Sequence, residues 1–392
     1  MGPATPFRTL HDDEWAYLNL VENQMRPFFP KFVSAIAEQS PIEREQGRCA
    51  VVEFTDGAYP RTRMFDTSKS IKQYLDNVET ILTPAIDKPV EGRLFLLEDL
   101  PRNYIVALGS SLNVPPSFFA GHYDDPATSS FNHRSPFRRC VTSQFRLRYA
   151  TSNRVEVDTA THNDVYTFDT NVFRYLHVYD LNGIVYDEPR SHHNLSFWSC
   201  LPKENGSWNA MLLLDPPPRN FVRYLGTRSR APIRRPALND LSMPLNYLYP
   251  EFQDLHELPA GTDRSTEHMF KPEYVSIFDD TLSSFEHQPR WQNLQHAYKI
   301  VEIPRKLVLS INIAFLRRRY LNLIAIQKTK VQPQALRSNY FSSFSNGSFS
   351  CWNDQVFNFI VGARAAMHEL GREMAENLTA LGLDAENVDA PQ

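Results

Sequence analysis

The tightest set of groups able to do chemistry is His122, Asp124 and Asp125, metal-ligand types within four residues. Carboxylates suit a hard cation such as Mg²⁺, which keeps several waters and takes one or two protein carboxylates. A histidine shifts the preference toward Zn²⁺ or a similar metal. The same residues also suit a turn, because Asp124 and Asp125 stand just before Pro126 and short acidic side chains bond their own backbone there. Both readings stay open, and Mg²⁺ is the cofactor that the first implies. His162-Asn163-Asp164 and His192-His193 are weaker groupings without the spacing of a zinc site.

Covalent and phosphoryl chemistry leave no mark. The chain has no GxSxG elbow, no Walker loop, no GxGxxG after a strand, no HExxH and no kinase set. Serines, histidines and aspartates are plentiful, but no spacing selects three of them. The sequence therefore reads as a non-enzyme, with an α/β enzyme of unusual site as an alternative. Arg219, Arg223, Arg228, Arg230, Arg234 and Arg235 form a basic stretch interleaved with Phe221 and Tyr224. It suits a phosphate patch, or a solvated loop answering the acidic stretch Asp240 to Glu286. A net charge of −4 and no RNA-binding motif argue against a nucleic-acid partner. Cys49, Cys140, Cys200 and Cys351 lie far apart with no CxxC pair, as expected of reduced thiols inside a cell.

These groups need elements to hold them. Asp12 or Asp13 can cap a first helix carrying Trp15, Leu18 and Val21, and Phe32, Val33 and Ile36 begin another. Cys49 to Phe54 and Arg61 to Phe65 read as strands about the Asp56-Gly57 turn. Ile71, Tyr74, Leu75, Val78, Ile81 and Leu82 fall on one helical face. Leu94 to Leu97 is a short apolar run that suits a buried strand. Pro101 suits the first position of the helix that follows, and Ser117 can cap a short aromatic one with Phe118 and Phe119 inward. Strands follow over Arg138 to Tyr149, within Val165 to Tyr179, over Asn194 to Cys200 and over Ala210 to Leu214. Several strands around a few helices predict a mixed sheet flanked by helices, an α/β fold.

The C-terminal part reads as helical. Leu307 to Phe315 alternates at period two, but its flanks favour helix, and helix is the expectation. Val356, Ile360, Ala363, Met367, Leu370, Met374 and Leu381 trace a heptad seam broken at Asn377. That seam suits packing on another helix, on the domain's own core, or on copies of itself in a homo-oligomer. The expected organisation is a helical lead-in over 1–45, an α/β domain over 46–285 with an Arg-rich then acidic insertion at 216–285, a helical region over 286–382, and a disordered tail over 383–392.

The stretch from Arg93 to Asp125 resembles the soluble domain of CorA-like magnesium transporter proteins, in the divergent form seen in fungi. The matching residues are Leu96 to Leu100, Leu108-Gly109, Pro115 to Phe119 and His122, with weaker similarity over about 45 to 380. The resemblance implies a CorA soluble-domain-like fold whose C-terminal helix starts a stalk. That family conducts through two C-terminal membrane helices with a Gly-Met-Asn motif; this sequence has no such motif and no run of about 18 apolar residues. The resemblance therefore implies a non-conducting cytoplasmic protein, held at the membrane only through a partner. Its role would be regulation, cation sensing or interaction, with a full-length CorA-like membrane protein as one partner. The alternative is the N-terminal part of a membrane-embedded transporter.

Overall fold

The fold is that of a computed structural model. It describes residues 10–37, 47–80, 90–124, 126, 144–152, 166–168, 170–179, 185–200, 207–217, 221–224, 230–232, 277–285, 297–309, 311–312, 316 and 349–381. The centre is a ten-stranded mixed sheet. Its strands are β1 (Arg48–Thr55), β2 (Arg61–Phe65), β3 (Val90–Glu98), β4 (Gln144–Ser152), β5 (Tyr166–Phe168), β6 (Tyr175–Tyr179), β7 (Val185–Ser199), β8 (Trp208–Leu214), β9 (Phe221–Tyr224) and β10 (Arg230–Pro232). They lie in the order β10-β9-β5-β6-β7-β8-β3-β1-β2, and β4 takes the other edge of β7. Strand β7 is long enough to pair with β6 near Ser191 and with β8 from Leu195 to Ser199. Among the described pairs only β3 and β8 run parallel.

The central strands are apolar on both faces because both faces are covered. Val51, Phe95, Leu97, Met211 and Leu213 enter one core, and Ala50, Val52, Leu94, Leu96 and Leu212 enter the opposite one. This is the period-two alternation of a strand serving two cores. The first core is covered by α1 (Asp12–Met25), α2 (Pro30–Ala37), α3 (Ser68–Thr80), α4 (Arg102–Leu112) and α5 (Pro116–Tyr123). The second is covered by α6 (Ile277–Phe285), a 3-10 turn at Ala297–Val301 and helical residues 302–309. Arg48 of β1 ties α6 to the sheet by pairing with both Glu98 and Asp279. The long C-terminal helix α7 (Phe349–Ala380) lies against β4 and β7. The mixed α/β class and the helix over 307–309 agree with the expectation.

Details differ for physical reasons. In α1 the buried stripe runs through Tyr17, Val21 and Met25, while Trp15 is half exposed. The cap is His11, whose backbone N–H donates to Glu14 Oε2 at 3.0 Å, not an aspartate. Pro101 is the cap of α4 rather than its first residue, and Pro115 rather than Ser117 caps α5. Pro304 stands in the first turn of residues 302–309, where no donor is needed. The segment read as an insertion at 216–285 supplies β9, the edge strand β10 and helix α6, so it belongs to the sheet and its cover. Helix α4 lies so close to α1 that a Cβ on Gly109 would meet the Tyr17 ring at 2.3 Å. The Tyr17 hydroxyl in turn donates to the Val114 carbonyl at 2.8 Å.

Candidate functional site

Parallel β3 and β8 end side by side, and each is followed by an aspartate. Such carboxyl ends are where α/β sheets gather ligand-binding groups. After β3, Asp99 and Leu100 hold positive φ values of 66° and 30°, a left-handed turn that costs non-glycine residues energy. The turn is held by the loop before β6. Asp99 Oδ1 accepts the backbone N–H groups of Asn171 at 2.6 Å and Val172 at 3.2 Å. After β8, Asp215 is fully buried and lies within reach of five donors. Arg174 donates to it twice, from Nε at 2.5 Å and Nη2 at 2.7 Å. His193 Nδ1 lies 3.0 Å from Oδ2, and the Asn194 backbone N–H donates to the same oxygen at 3.2 Å. His122 Nε2 lies 3.0 Å from Oδ1 but off a hydrogen-bonding line.

Burial alone would raise the Asp215 carboxyl. The Arg174 charge, with His122 and His193, outweighs it and holds the group well below the usual carboxylate range. Burial pulls His122 down to about 4, with Asp215 opposing and Arg174 and Arg146 adding to the fall. His122 is thus neutral at pH 7, and its Nδ1 lies 2.8 Å from Ser196 Oγ. Arg174 also donates to the carbonyls of His122, Tyr123 and Asp124, closing the end of α5. A cation at a helix C-terminus answers the carbonyl dipoles there.

One branch has the connectivity of a catalytic relay. Ser191 Oγ is 2.7 Å from His193 Nε2, and His193 Nδ1 reaches Asp215. With Nδ1–H donating to the carboxylate, Nε2 accepts from Ser191 or from Thr151 Oγ1 at 2.9 Å. A hydroxyl, imidazole and carboxylate in that order are the parts of a serine nucleophile. Here Ser191 has no exposed surface, and the His193 ring stacks on Tyr149 with centroids 5.2 Å apart. The recess edged by Phe168, Val172, His193 and Pro216 lacks the volume of a water molecule. The relay therefore serves as a buried polar clamp.

A second cluster joins the sheet to α7. Among the described residues, His192, Glu369 and Glu373 form the group whose ligand atoms lie within 4.8 Å of one another. His192 Nδ1 is 2.6 Å from Glu373 Oε1, and Nε2 is 3.3 Å from Glu369 Oε1. Burial lowers the His192 ring, but the charges of Glu373 and Glu369 outweigh it and raise the group to about 9. Arg148, beside it on β4, donates to Glu376 at 2.7 Å. The Asn377 amide exchanges two hydrogen bonds with the Arg148 backbone, at 2.6 and 2.7 Å. That is the position where the apolar seam breaks: the helix uses it to satisfy the edge of β4.

His122 is brought into the Asp215 network, with its ring nitrogens directed to Ser196 and Asp215. Asp124 caps the end of α5 and its carbonyl accepts from Arg174; Asp125 lies outside the described residues. Sequence reasoning missed Arg174, Asp215, Glu369 and Glu373. The His192-His193 pair was visible, and the strand pleat sends its members to different clusters. Of the cysteines, Cys49 is buried and Cys200 half-buried, both free; Cys140 and Cys351 fall outside what can be described of side chains. Cys49 is pushed up by burial, which makes it a poor nucleophile. The metal-ligand expectation for His162-Asn163-Asp164 also falls outside the described residues. The chain matches no protein-family profile and no curated protein.

Proposed function

We propose that the chain is a non-conducting regulatory or interaction protein of divalent-cation transport, built on a CorA-like soluble domain. The observation that carries this reading is the seating of α7: a 32-residue helix held on the sheet by His192, Arg148 and three glutamates, contacts that cation concentration or a partner can loosen or tighten. Cytoplasmic location, and membrane attachment only through a full-length CorA-like partner, belong to the same proposal. A homo-oligomer through α7 would use exposed Met367, Met374 and Leu378, since Leu370 is turned onto the protein's own interior. In this reading His122 and Asp124 act as structural residues at the end of α5, and Mg²⁺ does not need them. The test is sedimentation velocity with and without millimolar Mg²⁺, alone and with the soluble domain of a full-length relative. A change in mass or complex formation is expected, and indifference in every arm overturns the reading.

A second reading, an α/β hydrolase, is favoured by the Ser191–His193–Asp215 connectivity. A fluorophosphonate probe decides it. Labelling at Ser191 would establish a reactive serine, and the sealed geometry predicts none.

A further inference from the structure

We propose that His192, Glu369 and Glu373 form a binding site for one divalent first-row transition cation of the Zn²⁺ class, which staples the C-terminal helix to the sheet. This deepens the regulatory reading by naming a ligand, but it stands or falls on binding alone.

Glu369 and Glu373 are four residues apart on α7, so their side chains share one face. His192 meets them from β7. One imidazole and two carboxylates are the mixed nitrogen and oxygen donors that Zn²⁺ and its neighbours take, whereas Mg²⁺ prefers oxygen alone. Metal–ligand bonds of about 2.0–2.2 Å place donors of one sphere up to about 4.4 Å apart. The three ligand atoms, all within 4.8 Å, already stand on that scale.

Two further observations point to a cation. Glu373 Oε1 is buried at 1% exposure and accepts no hydrogen bond, although His192 Nδ1 lies only 2.6 Å away. A buried carboxylate oxygen paired by charge, but not by an aligned hydrogen bond, keeps a lone pair that a metal can take. The charge also balances. Binding would displace the His192 proton, since a ligating imidazole is neutral; the carboxylates of Glu369, Glu373 and Glu376 against the Arg148 guanidinium then leave two negative charges, the charge of one divalent cation. Glu369 is 21% exposed, which gives the cation a way in from solvent.

The test uses the full chain and Co²⁺ as a visible probe, with Zn²⁺ as competitor. Expected are saturable binding of one Co²⁺ per chain, d–d absorption that Zn²⁺ abolishes and millimolar Mg²⁺ does not, and a melting temperature that rises with Zn²⁺. Glu369→Gln, at a part-exposed position that leaves the fold intact, should weaken binding at least about tenfold. His192→Gln should abolish it, with circular dichroism to confirm folding. Asp124→Asn with Asp125→Asn should leave it unchanged. No saturable binding, equal affinity in wild type and Glu369→Gln, or loss through the Asp124/Asp125 variant would each overturn the proposal. Binding without any change in mass or partner would leave the site standing and remove the regulatory reading.

Discussion

Asp215 carries one negative charge at the point where β8 ends, and Arg174, His122 and His193 converge on it. Replacing it with asparagine keeps the shape but leaves the Arg174 guanidinium buried without its counter-charge. Breaking such a pair from one side costs about 3–5 kcal/mol. Asp215→Asn should therefore lower unfolding stability by that amount in urea titrations, with an unchanged m-value. His122 gives a pH dependence. Burial holds its folded pKa at about 4, below the unfolded value of 6.5, against opposing Asp215 and with help from Arg174 and Arg146. The unfolded chain then binds more protons between these values. Its stabilising share is complete above about pH 6.5 and drains away as pH falls toward 4, by roughly 3 kcal/mol. Denaturation midpoints across that window should fall in the wild type and flatten in His122→Gln. A wild-type midpoint that stays level would mean His122 is not held neutral.

At the scale of elements, the C-terminal helix separates two kinds of packing. Leu370 is buried at 6% exposure, while Met367, Met374 and Leu378 on the same helix are exposed. Leu370→Glu should destabilise the monomer by several kcal/mol, the scale of an unpaired buried charge. Met374→Glu should leave thermal stability nearly unchanged, and sedimentation should show a lighter species only if the exposed stripe carries an oligomer. Asn377 allows a sharper test. Asn377→Leu completes the apolar seam, yet it removes two hydrogen bonds to the Arg148 backbone. A loss of about 1–3 kcal/mol is expected, because buried amide groups of β4 are left unpaired. A gain in stability would show that the seam, not the strand edge, holds this helix. The close approach of α1 and α4 makes a similar demand. Gly109→Ala should cost about 1–3 kcal/mol by forcing the Tyr17 ring aside.

At the scale of the whole molecule, no helix among the described residues is long and apolar enough to cross a membrane. Backbone crossing hydrocarbon must satisfy its own polar groups, which needs such helices or a closed barrel. On the non-conducting proposal, this chain reconstituted into liposomes should give no Mg²⁺-dependent dye signal above empty vesicles. Uptake above that background would overturn the non-conducting proposal. The sheet itself explains why the polar groups sit where they do. Both faces of β1, β3 and β8 are filled by apolar side chains. Charge is left to the strand ends, where Asp99 and Asp215 stand, and to the β4–β7 flank, where Arg148 and His192 meet α7.

The sequence by itself determined the elements whose pattern is local. Leu94 to Leu97 announces a strand buried on both faces, Ile71 to Val78 a helix through its spacing, and Asp56-Gly57 a turn, where Gly57 takes a φ of 66°. Those patterns arise from a period of two or 3.6 and from glycine's freedom at positive φ, which a few neighbouring residues set. Pairing across distance was decided only by tertiary structure. Arg174 and Asp215 are 41 residues apart, and Asn377 and Arg148 are 229 apart. His122 stands two residues before Asp124 in the chain, yet the carboxylate its ring meets is that of Asp215, 3.0 Å away. No local spacing carries such contacts. They depend on which strand ends lie side by side, and so on the parallel placement of β3 and β8 and on where α7 comes to rest.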